Sequence, residues 1–486
     1  DGDNESAAWT YAELHARALA VATCLEERTQ PGDRALLLFP PGLDVIAAFW
    51  GCLYARVTAV PLYAPHRRRH DQRLAGVAAD SGPRVLISTA EVLTKCADVI
   101  REVAPTASSS LAIDTLSSGG RESRQRPVES QVAFIQYTSG STTEPKGVCV
   151  THANLVANQR MIQRAMSLDE RTVCVSWLPA HHDMGLIGDI LGIVLSGGSC
   201  VRLPPAAFVQ HPIRWLRAAA SYRATLIGGP NFAYDHCAHH TTPAERQHLD
   251  LSAISVAYCG SEPIRSSTLD AFGDAFACTG FRPESWLPCY GLAEATLFVS
   301  GMRGRPRIRP WETSSSCDRG PVTAATRETA GAKLRSCGPP AEGTDVVIVN
   351  PSTASECNPG EVGEVWVRGP HVSAGYWKRP ALTDAVTGAR LADGRGPFLR
   401  TGDCGFMDDG ELFIVGRLKD VVVVRGRNLY AQDVEFTVSR AHPLLRGETA
   451  ACFGVTEDAE SFVVVLEMPR TTQLAVAAAV RAAVIR

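Results

Sequence analysis

Short apolar runs, each ended by a breaker and followed by a stretch of helical length, recur along the first part of the chain and constrain its fold more than any other feature. They read ALLLF (Ala35 to Phe39), VLIST (Val85 to Thr89), VAFIQY (Val132 to Tyr137), VCVSW (Val173 to Trp177), ATLIGG (Ala224 to Gly229) and VAYCG (Val256 to Gly260). The first is followed by PPG and then by an apolar run from Leu43 to Arg56. Strand, breaker, helix, strand is the rhythm of a parallel sheet covered on both faces. A helix ahead of the first strand is signalled by Thr10 and Glu13, a capping-box pair, and by Leu14, Ala18, Val21, Ala22 and Leu25 at helical spacing. This half is predicted to be α/β.

From about Asp345 the pattern changes. VVIV, EVWVRG, a DDG turn before ELFIVG, and VVVV at Val421 to Val424 read as short strands joined by turns. They predict a β-rich segment closing a large domain, with a second, smaller unit starting near Arg417. Between the two patterns lies Gly301 to Cys337, rich in Arg, Ser, Thr, Gly and Pro and without apolar periodicity. A loop of that length inside a compact domain is either functional or disordered.

With 486 residues the chain exceeds one ordinary core, so two or three domains or subdomains are expected. Hydrophobic residues at 45%, charged residues at 20% and a net charge of −3 are those of a globular protein, not of a nucleic-acid binder or a disordered chain. No apolar run approaches the ~18 residues that span a bilayer, and DGDNESAAWTYAEL lacks the basic-then-apolar order of a signal peptide. A cytoplasmic protein is the expectation. The 15 cysteines are scattered, with no C-x-x-C, and read as small buried hydrophobes in a reducing compartment. The basic clusters HRRRH (His66 to His70) and RGRPRIRP (Arg303 to Pro310) are either solvated loops or docking patches for an acidic partner. His236, Cys237, His239 and His240 lack a second ligand pair at finger spacing, so structural zinc is not expected there. No Gly-x-Ser-x-Gly occurs, which removes a serine-hydrolase elbow.

The stretch YTSGSTTEPKGV (Tyr137 to Val148) sets Thr138, Ser139, Ser141, Thr142 and Thr143 around Gly140, with Lys146 before Gly147. Such a turn can surround phosphate oxygens with donors while a lysine neutralises them. It is not a Walker A loop, because the chain returns to strand instead of entering a helix after Gly-Lys-Ser/Thr. Taken alone, it is a phosphate loop or a surface turn.

Five stretches decide between these: YTSGSTTEPKGV, WLPAHHDMGLIG, YGLAEAT, RTGD and GRLKDVVVVRGRN stand in the order and spacing of the adenylate-forming superfamily of acyl and aminoacyl ligases. The resemblance runs from about Trp9 to the end. Within that superfamily GGPNFAYDHC (Gly228 to Cys237), WLPAHHDMGLIGDIL and the loop after YGLAEAT look most like fatty acyl-AMP ligases. The resemblance implies an α/β fold class. A large N-terminal domain of two doubly wound α/β subdomains plus a small β-barrel-like segment would cover residues 1–415, with the insertion at 301–337 and the β-rich part at about 340–415. A small α+β mobile domain would follow over 416–486, incomplete as written, with its hinge at Lys419.

The implied reaction joins ATP and a fatty acid into acyl-AMP, releases pyrophosphate, and passes the acyl group to the phosphopantetheine arm of an acyl carrier protein. Thr138, Ser139, Gly140, Ser141, Thr142 and Lys146 would hold phosphates. Glu294, with Thr138, would hold Mg²⁺, which favours one or two carboxylates plus phosphate oxygens. His182 would stand beside the acyl carboxylate, His181 replacing an aromatic residue. Asp403 and Arg417 would meet the ribose or phosphates. Gly260, Ser261, Glu262, Tyr290 and Gly291 would form the adenine slot, with Ser261 in place of an expected alanine. Gly229, Asn231 and Phe232 would line the acyl pocket. The family also places a catalytic lysine in a Gly-Lys context near the far end of the small domain; no Gly-Lys follows Gly426. The polypeptide as written is therefore expected to form acyl-adenylate slowly or not at all. Two alternatives are a fatty acyl-CoA ligase and a catalytically silent adenylate-binding module. The insertion and the Thr143-Glu144 pair favour the carrier protein over coenzyme A.

Overall fold

The computed structural model describes residues 3–65, 71–117, 119–120, 128–137, 144–304, 306–311, 332–424, 427–442, 445, 450–455, 461–467, 476, 479–481 and 483–484. Helix α1 (Tyr11–Glu26) opens with the expected capping box: Thr10 accepts from the Glu13 amide, and the Glu13 carboxylate accepts from the Thr10 amide at 2.7 Å. Strand β1 (Arg34–Phe39), helix α2 (Asp44–Tyr54), strand β2 (Thr58–Tyr63), helix α3 (Gln72–Ser81) and strands β3 (Val85–Ser88), β4 (Ser109–Ala112), β5 (Val132–Tyr137) and β6 (Gly147–Thr151) follow. The strands form one sheet in the order β4-β3-β1-β2-β5-β6, parallel except for the β5–β6 hairpin.

A second sheet repeats this plan. Its strands are β7 (Val173–Ser176), β8 (Ser199–Arg202), β9 (Leu226–Gly229), β10 (Val256–Cys259), β11 (Trp286–Gly291) and β12 (Phe298–Gly301), in the order β12-β11-β10-β9-β7-β8. Only the β11–β12 pair is antiparallel. The central strands of both sheets are buried along nearly their whole length, which is why their sequences are apolar throughout instead of alternating. One continuous apolar core joins the sheets, from Phe49 and Phe134 to Trp215, Tyr234 and Trp286.

The stretch Gly301 to Cys337, expected to be irregular, instead begins and ends in paired strands, β13 (Ile308–Trp311) and β14 (Ala332–Arg335). Its middle, 312–331, lies outside the described residues. Strands β15 (Asp345–Asn350), β16 (Ser355–Glu356), β17 (Gly363–Arg368), β18 (Leu399–Asp408) and β19 (Glu411–Arg417) form an antiparallel sheet in the order β16-β15-β17-β18-β19. Where a barrel-like segment was expected, the end strands β16 and β19 do not pair. Two hairpins follow: β20 (Val421–Val424) with β21 (Arg427–Tyr430), and β22 (Ala450–Val455) with β23 (Ser461–Leu466). No helix among the described residues is long and apolar enough to cross a membrane.

Candidate active site

The motif loops share one topological address. The HHDMG stretch follows β7, Pro230 and Asn231 follow β9, Gly260 to Glu262 follow β10, and Glu294 follows β11. All leave the carboxyl ends of neighbouring parallel strands, and the chain reverses its direction of travel across the sheet between β7 and β9. Ligands of open α/β sheets bind in the crevice outside such a switch point. The first sheet meets this crevice through the ends of β2 and β5. The Tyr63 ring packs edge-on to His181 with centroids 5.5 Å apart, and the Gln136 amide donates to the His181 carbonyl at 2.9 Å.

A cavity of about 840 Å³ opens beside the β11 loop, and Lys146, Glu294, Arg417 and Lys419, distant in sequence, all line it, whereas the HHDMG, Asn231 and Gly260 to Glu262 loops do not. Glu294 sits in a single helical turn, Ala293–Ala295, held by a tight reversal in which Leu292 N–H donates to the Leu297 carbonyl. Gly291 is required there, because a Cβ would lie 1.8 Å from that carbonyl oxygen. Tyr376 donates to Glu294 Oε1 at 2.8 Å, while Oε2 takes no hydrogen bond among the described residues.

RTGD is shaped by its neighbour strand. Gly402 has φ 72, a left-handed value that favours glycine, and its N–H donates to Glu364 Oε1 at 3.2 Å. Glu364 in turn takes Arg400 at 2.8 Å. The β18–β19 register then sets Asp403 opposite Arg417. The buried Asp403 carboxylate accepts from Tyr290 OH at 2.7 Å and Arg417 Nε at 3.2 Å. Burial raises its pKa above the usual carboxylate range, and the Arg417 charge and the tyrosine bond oppose the rise.

His182 is half-exposed, with Nδ1 2.8 Å from Asp183 Oδ1; that hydrogen bond raises its pKa, and partial desolvation opposes the rise. Its neighbour differs: burial, then the His182 and Arg73 charges, push His181 down to about 4.

Three expected ligand residues have other partners. Asn231, almost fully buried, donates to the Pro263 carbonyl at 2.9 Å and accepts from Arg265 N–H at 3.2 Å. Glu262 accepts from the Asn231 side chain and from the backbone amides of Asn231 and Phe232, so it caps the helix Asn231–His239; burial raises its pKa. Ser261 adopts φ 72 and donates to the Met184 thioether. Phe232 is 49% exposed and leans edge-on to Trp177, which stacks on Phe208 at 4.1 Å. A Cβ at Gly229 would lie 3.1 Å from the Ala233 Cβ and in ordinary contact, 3.5 Å, with the indole. Gly260 packs closely on Cys289, its Cβ position being 3.0 Å from Sγ.

Thr138, Ser139, Gly140, Ser141 and Thr142 lie outside the described residues, as do Arg67 to Arg69. Arg307 pairs with Asp409 and Glu411, and Arg309 with Asp408, so these arginines tie the insertion to the β18–β19 turn and are not a free cationic patch. His236 points one ring nitrogen at His240 and the other at the Val209 carbonyl. Sequence reasoning passed over Tyr376, Arg379 and Trp177. Only Trp177 stood in a quoted motif, and nothing in spacing marks the other two.

The AMP-binding enzyme family matches residues 3–377. The medium-chain-fatty-acid–[acyl-carrier-protein] ligase JamA of Moorena producens is 39% identical over 97% of this chain and 82% of that protein. The ligase of the same description from Teredinibacter turnerae, TtuA, is 34% identical over 93% of this chain and 78% of its own length. Among solved structures, the fatty acyl-adenylate ligase from L. pneumophila in complex with acyl adenylate and pyrophosphate superposes with a TM-score of 0.82 at 35% identity, covering 98% of this chain and 85% of that one.

Proposed function

This chain belongs to the AMP-binding enzyme family, and on that footing we propose that it activates a fatty acid with ATP for transfer to an acyl carrier protein. The observation that carries this reading is the cavity in which Lys146, Glu294, Arg417 and Lys419 converge, with Asp403 bonded to both Tyr290 and Arg417 beside it. A carboxylate oxygen attacks the α-phosphorus, the bond to the β-phosphate breaks, and pyrophosphate leaves. Both reactants are anions, so charge cancellation and alignment supply most of the rate.

Lys146 neutralises the phosphates, with Thr138 to Thr142 as donors beside it. His182, kept in place by Asp183, donates to the acyl carboxylate. Asp403 accepts from the ribose hydroxyls, for which Arg417 shifts its bond. Tyr290 and Gly291 form one wall of the adenine slot with Gly260 and Ser261, and Glu262 shapes that slot by capping the next helix. Gly229, Asn231 and Phe232, with Trp177, border the acyl entrance. The half-satisfied Glu294 carboxylate fits one ligand of Mg²⁺, which would offset phosphate charge. The small domain turns about Lys419 to exchange adenylation for transfer.

The acceptor is the phosphopantetheine thiol of a carrier protein rather than that of coenzyme A, a reading supported by the insertion, which Arg307 and Arg309 fasten to the β18–β19 turn. Fatty-acid-dependent ATP–pyrophosphate exchange across graded chain lengths, with coenzyme A and holo carrier protein in competition, tests this. Measured on a chain that carries the Gly-Lys segment of the small domain, exchange with acyl transfer to the carrier is expected. ATP binding without exchange for any carboxylate would favour a silent module. Removing residues 312–331 is expected to admit coenzyme A as acceptor; no acyl-CoA from that variant would count against the insertion's role.

A further inference from the structure

One face of α3 runs along the phosphate-loop segment, and its first residue has no assigned role. Arg73, Gly76, Val77 and Asp80 stand at i, i+3, i+4 and i+7, a single helical face. Asp80 accepts from Tyr137 OH at 2.6 Å, at the start of that segment. Gly76 packs on its exit, where a Cβ would lie 3.3 Å from Pro145. Arg379 reinforces the arrangement by bridging Asp80 at 3.4 Å and Glu144 at 3.5 Å. Both ends of the segment are thus braced on α3.

Arg73 lies one turn further along this face. It lines the same cavity as Lys146, is exposed, and makes no salt bridge among the described residues. The carboxylate nearest in sequence, the helix-capping Asp71, is engaged by Leu74 N–H at 3.1 Å and Tyr63 OH at 2.7 Å. The charge of Arg73 is felt at Asp71, His181 and His182. An exposed guanidinium lining a cavity beside a second cation is placed to receive an anion, and its fork matches phosphate oxygens in pairs.

We propose that Arg73 is a phosphate-binding residue that, with Lys146, holds the terminal phosphates of the nucleotide and the pyrophosphate they become. This rests on the adenylation reading above. It is tested by calorimetric titration of the chain with magnesium pyrophosphate and, separately, with AMP. Arg73→Gln is expected to weaken pyrophosphate binding roughly ten- to hundredfold, as loss of a hydrogen-bonded charge does. Arg73→Lys should recover part of it, and AMP affinity and melting temperature should stay unchanged. Equal pyrophosphate affinity in the wild type and Arg73→Gln overturns the proposal. So does a loss of fatty-acid affinity with pyrophosphate binding intact, which would assign the guanidinium to the acyl carboxylate. Fatty-acid-dependent exchange is followed in parallel on a chain carrying the Gly-Lys segment of the small domain: its absence there, with pyrophosphate binding through Arg73 intact, sinks the fatty-acid reading and leaves the role of Arg73 standing.

Discussion

His181 and His182 are adjacent, yet their environments drive them apart. The Asp183 carboxylate stabilises the charged form of His182, whereas burial disfavours charge on His181. Replacing Asp183 with Asn should lower the His182 pKa towards the ordinary histidine value, as read from its imidazole proton shifts against pH; an unmoved titration would show that Asp183 is not the cause. The His181 shift carries a sign for stability. Its folded pKa of about 4 lies below the unfolded value, so between the two the unfolded chain binds more protons and stability falls as pH falls. His181→Phe, which keeps the edge-on contact with Tyr63, should make the loss of stability from neutral pH towards pH 4 shallower by up to one proton. Denaturant melts at several pH values measure it, and parallel curves for both proteins would contradict it.

At the scale of elements, the two sheets place the site because each puts its loops at the carboxyl ends of parallel strands, and small residues let strands and helices close on one another. Gly228 on β9 is the clearest case: a Cβ there would lie 2.0 Å from the Tyr258 ring. That ring crosses above β9 so that its hydroxyl can donate to Asp189 at 2.6 Å, a carboxylate buried on the helix Met184–Leu191 and bonded also by Ser176. Gly228→Ala should therefore push Tyr258 off Asp189 and destabilise the fold by roughly 1–3 kcal/mol, the usual cost of overpacking, with more if the carboxylate loses its partner. A chemical denaturation midpoint identical to the parent's would refute this. Periodicity found these strands readily; it could not show that an aspartate in WLPAHHDMGLIGDIL would be buried, since burial there depends on a tyrosine three strands of sequence away.

At the scale of the whole molecule, the loop after β10, the strand β14 and the helix Ala431–Arg440 meet at Arg265. Its guanidinium lies 4.2 Å over the Phe436 ring and donates to the Gln432 carbonyl at 3.2 Å, and its backbone bridges to Leu334 of β14. A stacked, hydrogen-bonded arginine of this kind contributes on the order of 1–2 kcal/mol to holding the small domain in this orientation. Arg265→Ala should accelerate limited proteolysis between the two parts of the chain without changing the melting temperature of the large domain. Arg265→Lys, which cannot both stack and reach the carbonyl, should be intermediate. Unaltered cleavage rates in both would show that other contacts fix the small domain.

The sequence by itself determined the α/β class, the switch to a β-rich segment near Asp345 and the family. Apolar periodicity and turn residues act over a few positions, and motifs such as YGLAEAT and RTGD keep their spacing in any reading of the chain. It also marked Lys146, Glu294, Asp403 and Arg417, through their places in the family's motifs. Only the tertiary structure decided which of these residues still have a free valence. Register set Arg417 on Asp403, a helix N-terminus claimed Glu262, a loop carbonyl claimed Asn231, and the arginines of the insertion found carboxylates on β18 and β19. Hydrogen-bond partnership depends on distances across hundreds of residues, which no local pattern encodes. For the same reason Arg73 is silent in the sequence: its meaning comes from the turn of α3 that carries it to the wall facing Lys146.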